Sequence, residues 1–279
     1  ADTHDILLFF TDRGRVYPLK AFQIPGDTSR ITRGTPLVNL LPLNEGERVH
    51  ALVSISDRRF HGVILLGTRM GEIKALDLSL LANIRKGGLN VMDLEKGDEQ
   101  VSVRLATEED DAIMTTAKGM AIRFPVNQLR LRSRAAGGVR GIRLSSEDFV
   151  VSMEVIHAQH RLLLVTEKGY GKLVRVQNYR TQSRGGQGLI TFRVSDMTGK
   201  LADARVVSEG SEENVMLVSA KCQVIRISLG QIPQQGRHTR GAIVWKGRSG
   251  DTVASVACFS QRPRSTEAEN PQEIKESTS

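Results

Sequence analysis

The chain has 279 residues, with 39 basic against 31 acidic side chains, a net charge of +8, and 39% hydrophobic but only 4% aromatic residues. That content supports a full core and excludes a wholly disordered chain, and no apolar run nears the ~18 residues a membrane-spanning helix needs. No basic, apolar and small-residue leader is visible, so no signal peptide is expected, and Ala1 running straight into a strand-like stretch reads as a piece of something longer.

In chain order, an apolar run followed by Thr or Ser, two residues and Gly occurs five times. The copies are Ile6 to Gly14, Val63 to Gly71, Ala112 to Gly119, Leu162 to Gly169, and Val215 to Cys222, the last with Cys where Gly is expected. Each is followed by a basic, Gly-containing loop leading into an alternating run, at Arg33-Gly34, Gly87-Gly88, Arg140-Gly141, Gln187-Gly188 and Arg240-Gly241. An acidic or Gly turn then precedes another alternating run, as at Glu45-Gly46-Glu47 and Gly250-Asp251. Each copy therefore reads as strand, Gly turn, strand, basic loop, strand, turn, strand. The repeats run over about 1–56, 57–108, 109–158, 159–210 and 211–260. Residues 261–279, polar and holding three basic against four acidic side chains, are expected to be a disordered tail. A four-stranded sheet of ~50 residues cannot cover both its faces, so neighbouring copies must stack, and the fold class is all-β and propeller-like. One helix-like segment, Leu78 to Arg85, is short.

Basic residues recur at one phase of the repeat: Arg30 and Arg33; Arg85 and Lys86; Arg130, Arg132, Arg134 and Arg140; Arg180 and Arg184; Arg237 and Arg240. Stacked radially, these loops form a curved positive stripe suited to a bent phosphate backbone. A second set follows the Gly (Cys222 in the fifth copy) that ends each apolar-run motif, the anchor residue of the repeat: Arg15, Lys74, Arg123, Lys172 and Arg226. The scarcity of aromatics argues against base stacking on single strands, and no groove-reading helix is present. Glu154-x-x-His157-x-x-His160 has ligand-like spacing but is expected to be exposed and metal-free. No phosphate-binding Gly-x-x-x-x-Gly-Lys loop and no nucleophile set are found, so no catalytic residue, metal or cofactor is expected in this chain. Cys222 and Cys258 read as reduced thiols.

Thr3-His-Asp-Ile, Arg13-Gly-Arg-Val-Tyr17, Pro36-Leu-Val-Asn-Leu-Leu-Pro-Leu43, Gly138-Val-Arg-Gly-Ile-Arg-Leu144 and Gly169-Tyr-Gly-Lys172 resemble the C-terminal domains of the A subunits of DNA gyrase and topoisomerase IV, from Asp2 to about Phe259. The resemblance implies a β-pinwheel of about five four-stranded blades, with strands exchanged between neighbours and a basic rim that wraps duplex DNA. It further implies a cytoplasmic, chromosome-associated A2B2 assembly with the gyrase B protein and no membrane. ATP and Mg serve that type II topoisomerase through other domains, and negative supercoils result. The topoisomerase IV domain, which selects DNA geometry for decatenation, is the near alternative. A protein-interaction propeller without a DNA role is the distant one. The signature loop of the family, Gln-basic-x-Gly-Gly-basic-Gly, has a degenerate match in Gln182, Arg184, Gly185, Gly186 and Gly188, with Ser183 and Gln187 at the basic positions. An upstream blade with the intact loop is therefore expected, and this stretch alone should bind and bend DNA while constraining little writhe. None of Tyr17, Tyr170 and Tyr179 is placed to be the catalytic tyrosine of the family.

Overall fold

The computed structural model describes residues 2–25, 35–56, 61–157, 159–210, 213–248 and 250–260. The apolar runs before each anchor are strands, and each turns back on itself through the anchor Gly. Ile6–Thr11 pairs antiparallel with Arg15–Lys20. Its successors are Val63–Thr68 with Glu72–Asp77, Asp111–Thr116 with Met120–Pro125, His160–Thr166 with Tyr170–Arg175, and Glu213–Ser219 with Val224–Ser228. A third strand returns to the first in each blade: Val49–Ile55, Gln100–Ala106, Val150–Ile156, Leu201–Ser208 and Val253–Ser260.

The fourth strand comes from the next repeat, which corrects the reading of four strands taken in order within one copy. Leu89–Asn90 closes blade 1, Val139–Arg140 blade 2, Leu189–Ile190 blade 3 and Ala242–Ile243 blade 4. Each two-residue arm covers the hairpin edge that its neighbour leaves unpaired. Four sheets thus have four strands, and the fifth has three among the described residues. The result is a β-pinwheel of five blades. The helix-like segment reduces to a single 3-10 turn, Leu78–Leu81, capped by the Asp77 carboxylate accepting from Ser79 N.

The third strands of successive blades pack against one another and form the hub, while the exchanged arms lie on the opposite sheet edge, at the perimeter. The core is divided among blade interfaces. Leu8, Phe10 and Val16 meet Ile64, Leu66 and Leu76 between blades 1 and 2. Leu65 and Ile73 meet Met114, Phe124 and Met153 between blades 2 and 3. Ile113 and Ala121 meet Leu162 and Leu164 next, then Leu163 and Val165 meet Val215 and Leu217. The hairpins of the first four blades are therefore buried on both faces, which explains their continuous apolar runs, whereas the fifth is buried on one face and Val224–Ser228 alternates.

The anchor residues have two separate duties. The Thr or Ser hydroxyl accepts from the backbone N–H four residues on: Glu72 N to Thr68, Met120 N to Thr116, Tyr170 N to Thr166 and Gln223 N to Ser219. It donates to the acid in the turn before the third strand in several blades: Thr11 to Glu47 at 2.6 Å, Thr116 to Asp148 at 2.7 Å and Ser219 to Asp251 at 2.7 Å. The Gly sits at positive φ, and its carbonyl accepts two N–H groups from the incoming arm. Gly14 O takes Val91 and Met92, Gly71 O takes Gly141 and Ile142, Gly119 O takes Thr191 and Phe192, and Gly169 O takes Val244 and Trp245. A Cβ on Gly119 would collide with the Phe192 carbonyl oxygen. Cys222 shares the positive φ, at 60°, but it is exposed and no arm among the described residues lies over it, so a side chain fits there. The departure from the repeat thus has a steric cause.

Gly119→Ala should destabilise the domain by about 3 kcal/mol, from left-handed strain plus the collision. Gly210→Ala, at φ +80° with open space around it, should cost about 1 kcal/mol. Denaturant unfolding followed by the single tryptophan, Trp245, compares the two; equal costs would rule out the close approach of the arm as the reason for glycine.

Candidate nucleic-acid interface

The basic loops ride on the exchanged arms, so strand exchange places them on the perimeter. They are also joined to one another through the backbone. Asp93 N donates to Ala136 O at 3.3 Å, Arg143 N to Gly186 O at 2.8 Å and Arg193 N to Thr239 O at 3.1 Å. Gly185 N adds a bond to Gly141 O at 2.6 Å. The rim is therefore one stitched belt across four repeats.

Arg30 and Arg33 lie outside the described residues. Arg85, Lys86, Arg130, Arg132, Arg134, Arg140, Arg180, Arg184 and Arg240 are all exposed, and Arg237 is half-buried. None of these forms an ion pair among the described residues, whereas Arg48, Arg104, Arg123, Arg175 and Arg205 each have a carboxylate partner. Arg130, Arg132 and Arg184, from two successive repeats, converge with Gln128 on an open cleft of about 440 Å³. Lys86 lies against blade 1, beside Pro18 and Leu19. Arg237 donates to Ile190 O at 2.9 Å and sits 5.9 Å from the Tyr179 ring centroid.

The degenerate signature loop belongs to this belt. Gln182 N donates to Arg123 O, Arg184 N donates to Gln128 Oε1 at 3.1 Å, and Arg184 Nη1 donates to Arg140 O at 3.2 Å. Gly185 and Gly188 have positive φ, and Gly186 presents its carbonyl to Arg143. Beneath this segment the Tyr179 hydroxyl is hydrogen-bonded to Thr191, and burial pushes its acidity far down, so it stays a neutral phenol. Tyr17 is likewise buried, donating to Glu47 at 3.0 Å.

The second basic set has a different place from the one its periodicity suggests. Arg15 donates to Gly87 O, and Arg123 donates to Val176 O and Tyr179 O while paired to Asp111 at 2.7 Å. Lys74 and Lys172 are fully buried. Lys74 Nζ donates to Val91 O, Arg134 O and Ala136 O at 2.6, 3.0 and 2.6 Å. Lys172 Nζ donates to Gly236 O, Arg237 O and Thr239 O at 2.8, 2.8 and 2.9 Å. In each case a cation of one blade holds the loop arriving from the next. Arg226, in the blade that has three strands among the described residues, is exposed and bonds Asn214 Oδ1 beside Phe259.

Arg143, Arg193 and Lys246 are exposed rim cations outside both periodic sets. Their signal in the sequence is a constant offset, five residues beyond Gly138, Gly188 and Gly241. Arg193 lines a second cleft with His238, Thr239 and Arg240. Asp93 stands at the same offset in the second repeat and interrupts the series.

Glu154 is corrected from exposed to buried, at 7% exposure, because it faces the hub. Arg104 of blade 2 clamps it through Nε at 2.7 Å and Nη2 at 2.5 Å, and Arg205 of blade 4 approaches to 3.4 Å. Arg205 also bonds Asp203 at 3.0 Å and Val256 O of blade 5 at 3.0 Å. His157 pairs instead with Asp110, 3.1 Å away, and no group of three metal-ligating side chains occurs among the described residues. Cys222 and Cys258 are free thiols, and burial pushes Cys258 up to about 12.

Five blades joined by four exchanged arms, a packed hub and a stitched cationic perimeter without carboxylate partners among the described residues define an all-β pinwheel. The chain belongs to the family described as DNA gyrase C-terminal domain, beta-propeller, which matches residues 5–56, 63–107, 110–157, 160–208 and 213–260. Among curated relatives, the DNA gyrase A protein of Dehalogenimonas lykanthroporepellens is 40% identical, over 92% of this chain and 32% of the relative. The DNA gyrase A protein of Clostridium acetobutylicum is also 40% identical, over 98% of this chain and 32% of the relative. The chain thus spans about a third of the length of the curated relatives it matches. A solved DNA gyrase A C-terminal domain superposes with a TM-score of 0.80 at 26% identity, covering 93% of this chain and 84% of the other. A topoisomerase IV C-terminal domain shares the fold, with a TM-score of 0.83 at 23% identity over 93% of this chain and 80% of that one. No helix among the described residues is long and apolar enough to cross a membrane.

Glu154→Gln should destabilise the domain by about 2 kcal/mol, because Arg104 and Arg205 lose their shared carboxylate at the hub. Chemical denaturation measures it; a change under about 0.5 kcal/mol would return Glu154 to the class of ordinary surface residues.

Proposed function

We propose that this chain is the DNA-wrapping region of a gyrase A protein, and that its rim carries duplex DNA by its phosphates. The observation that carries the reading is the perimeter. Arg85, Lys86, Arg130, Arg132, Arg134, Arg140, Arg180, Arg184 and Arg240 stand exposed and without a carboxylate partner on one stitched belt. No ion pair has to be broken before a phosphate binds such guanidinium groups. Adjacent loops also present N–H groups at Gly-rich turns, which lets a backbone approach closely.

The rim reads shape rather than sequence. Its cations sit on two-residue arms and loops, with no helix among the described residues to enter a major groove. A curved path bends the duplex at a cost of several kcal/mol per 20–30 bp, which contacts distributed over several blades offset. The chemistry of strand cutting, the ATP and Mg it uses, and assembly with the gyrase B protein in an A2B2 enzyme fall to other parts of that holoenzyme. No catalytic role is assigned to a residue of this chain. Identities of 40% to curated gyrase A proteins support the gyrase reading.

Reversing Arg132, Arg134 and Arg140 to Glu should weaken binding to every duplex alike, by 10-fold or more at about 0.1 M salt, and flatten the salt dependence by about the number of phosphate contacts removed. Fluorescence anisotropy with several unrelated duplexes measures both. A sequence-selective loss, or none, would overturn the rim.

A further inference from the structure

We propose that Lys172, and Lys74 in the equivalent place two blades earlier, are positioning residues for the DNA-contacting loops, and that binding of DNA to those loops is coupled to uptake of a proton by the buried amine. This rests on the rim reading above and adds to it a set of residues that never touch DNA.

The geometry is the same in both blades. Each lysine is the third residue after the anchor Gly, on a strand buried on both sides, and each reaches outward beneath the loop of the next repeat. The cage around Lys172 is Gly236 O, Arg237 O and Thr239 O, with Thr239 Oγ1 a fourth acceptor at 3.1 Å, within the loop that carries Arg237 and Arg240. The cage around Lys74 is Val91 O, Arg134 O and Ala136 O, so one ammonium ties the arm of repeat two to the loop of repeat three. An ammonium has three N–H donors and fills three carbonyls. A neutral amine has two and makes weaker, uncharged bonds, which slackens the hold on Arg237 O, Val91 O and Arg134 O, while Gly236 O is also met by Thr239 Oγ1 and Thr239 O by Arg193 N. The protonated lysine is therefore the state that holds the loop in the shape described.

No carboxylate is ion-paired to either amine among the described residues. Burial first, and then the charge of Arg237, lower the Lys172 pKa from 10.5 to about 7. Burial and the charge of Arg132 lower Lys74 to about 8, with Asp93 opposing the shift. Those are the charged groups facing the two amines; the Phe192 ring, 4.8 Å from Lys172, and the exposed His238 of the same loop complete the surroundings of Lys172. The residues that repel the buried ammonium are thus the rim arginines themselves. A phosphate seated on Arg237 or Arg132 cancels that repulsion and raises the proton affinity beneath it. By linkage, the protonated form then binds DNA more tightly by the same factor.

Stability and DNA affinity therefore respond to pH with opposite sign. Without DNA, the folded state holds fewer protons than the unfolded chain between about pH 7 and 10.5, so Lys172 lets stability rise with pH across that window. DNA affinity falls as pH rises over the same range, by at most about tenfold per pH unit for each proton linked. A residue that merely filled space would show neither.

The experiment is titration calorimetry of the full chain with a 40-bp duplex of arbitrary sequence, at fixed ionic strength, from pH 7 to 9 in buffers of different ionisation enthalpy. Histidines ordinarily titrate near 6.5, below most of this window, and His238→Gln serves as the control. Wild-type protein should take up protons on binding and lose affinity several-fold by pH 9. Lys172→Met should bind more weakly at pH 7 with a flatter pH profile. Arg237→Gln, which leaves the amine in place, should move the fall in affinity to higher pH. Binding without proton uptake, or the same pH profile in wild type and both variants, would overturn the proposal while leaving the rim intact. Absence of duplex binding by the wild type at pH 7 would overturn the rim itself and the proposal with it.

Discussion

One backbone contact organises this domain: the carbonyl of the anchor glycine, bonded twice by the arm of the next repeat. It recurs at Gly14, Gly71, Gly119 and Gly169. Each contact completes a sheet, and each commits the chain to cross from one blade to its neighbour. No repeat can then close alone, so blade order, the split core and the perimeter position of the basic loops all follow from it. The same contact explains why glycine is required. The arm comes so close that a Cβ on Gly14, Gly119 or Gly169 would strike its backbone oxygen.

Basic residues are consequently sorted into two kinds by which side of the arm they occupy. Those on the loop, such as Arg132 and Arg240, are exposed to solvent with no carboxylate partner. Those on the strand beneath, Arg15, Lys74, Arg123 and Lys172, spend their donors on the loop carbonyls. A third group is confined to the hub, where Arg104, Glu154 and Arg205 link three blades across their innermost strands. Positive charge therefore serves to shape the rim as well as to present it, and a count of lysines and arginines overstates the surface open to phosphate.

The repeat was legible because its demands are local. A tight hairpin needs Thr or Ser to cap it and Gly to turn it, and both are visible as letters at fixed offsets. The perimeter stripe was legible for a related reason, since Lys86, Arg134, Arg184 and Arg237 each stand 15 residues beyond Gly71, Gly119, Gly169 and Cys222. Strand exchange was not legible from spacing alone, because two residues such as Leu89 and Asn90 carry no sign of which sheet they join. It entered only through family resemblance. Burial of Lys74 and Lys172 was hidden for the same reason: a lysine on an alternating strand looks solvated until an arm from the next repeat covers it. Glu154 was misplaced because its partners lie about 50 residues away on either side, at Arg104 and Arg205. Arg30, Arg33 and the expected tail at 261–279 fall outside the described residues.

If the stitched cationic perimeter carries duplex DNA along several blades in succession, the duplex must present its backbone to the rim once per helical turn. Hydroxyl-radical footprinting of a long duplex saturated with the domain reads this out. Protection should recur about every 10 bp on one face of the helix, wherever the backbone turns toward the rim. A single uninterrupted patch, or protection without that period, would contradict a wrapped path.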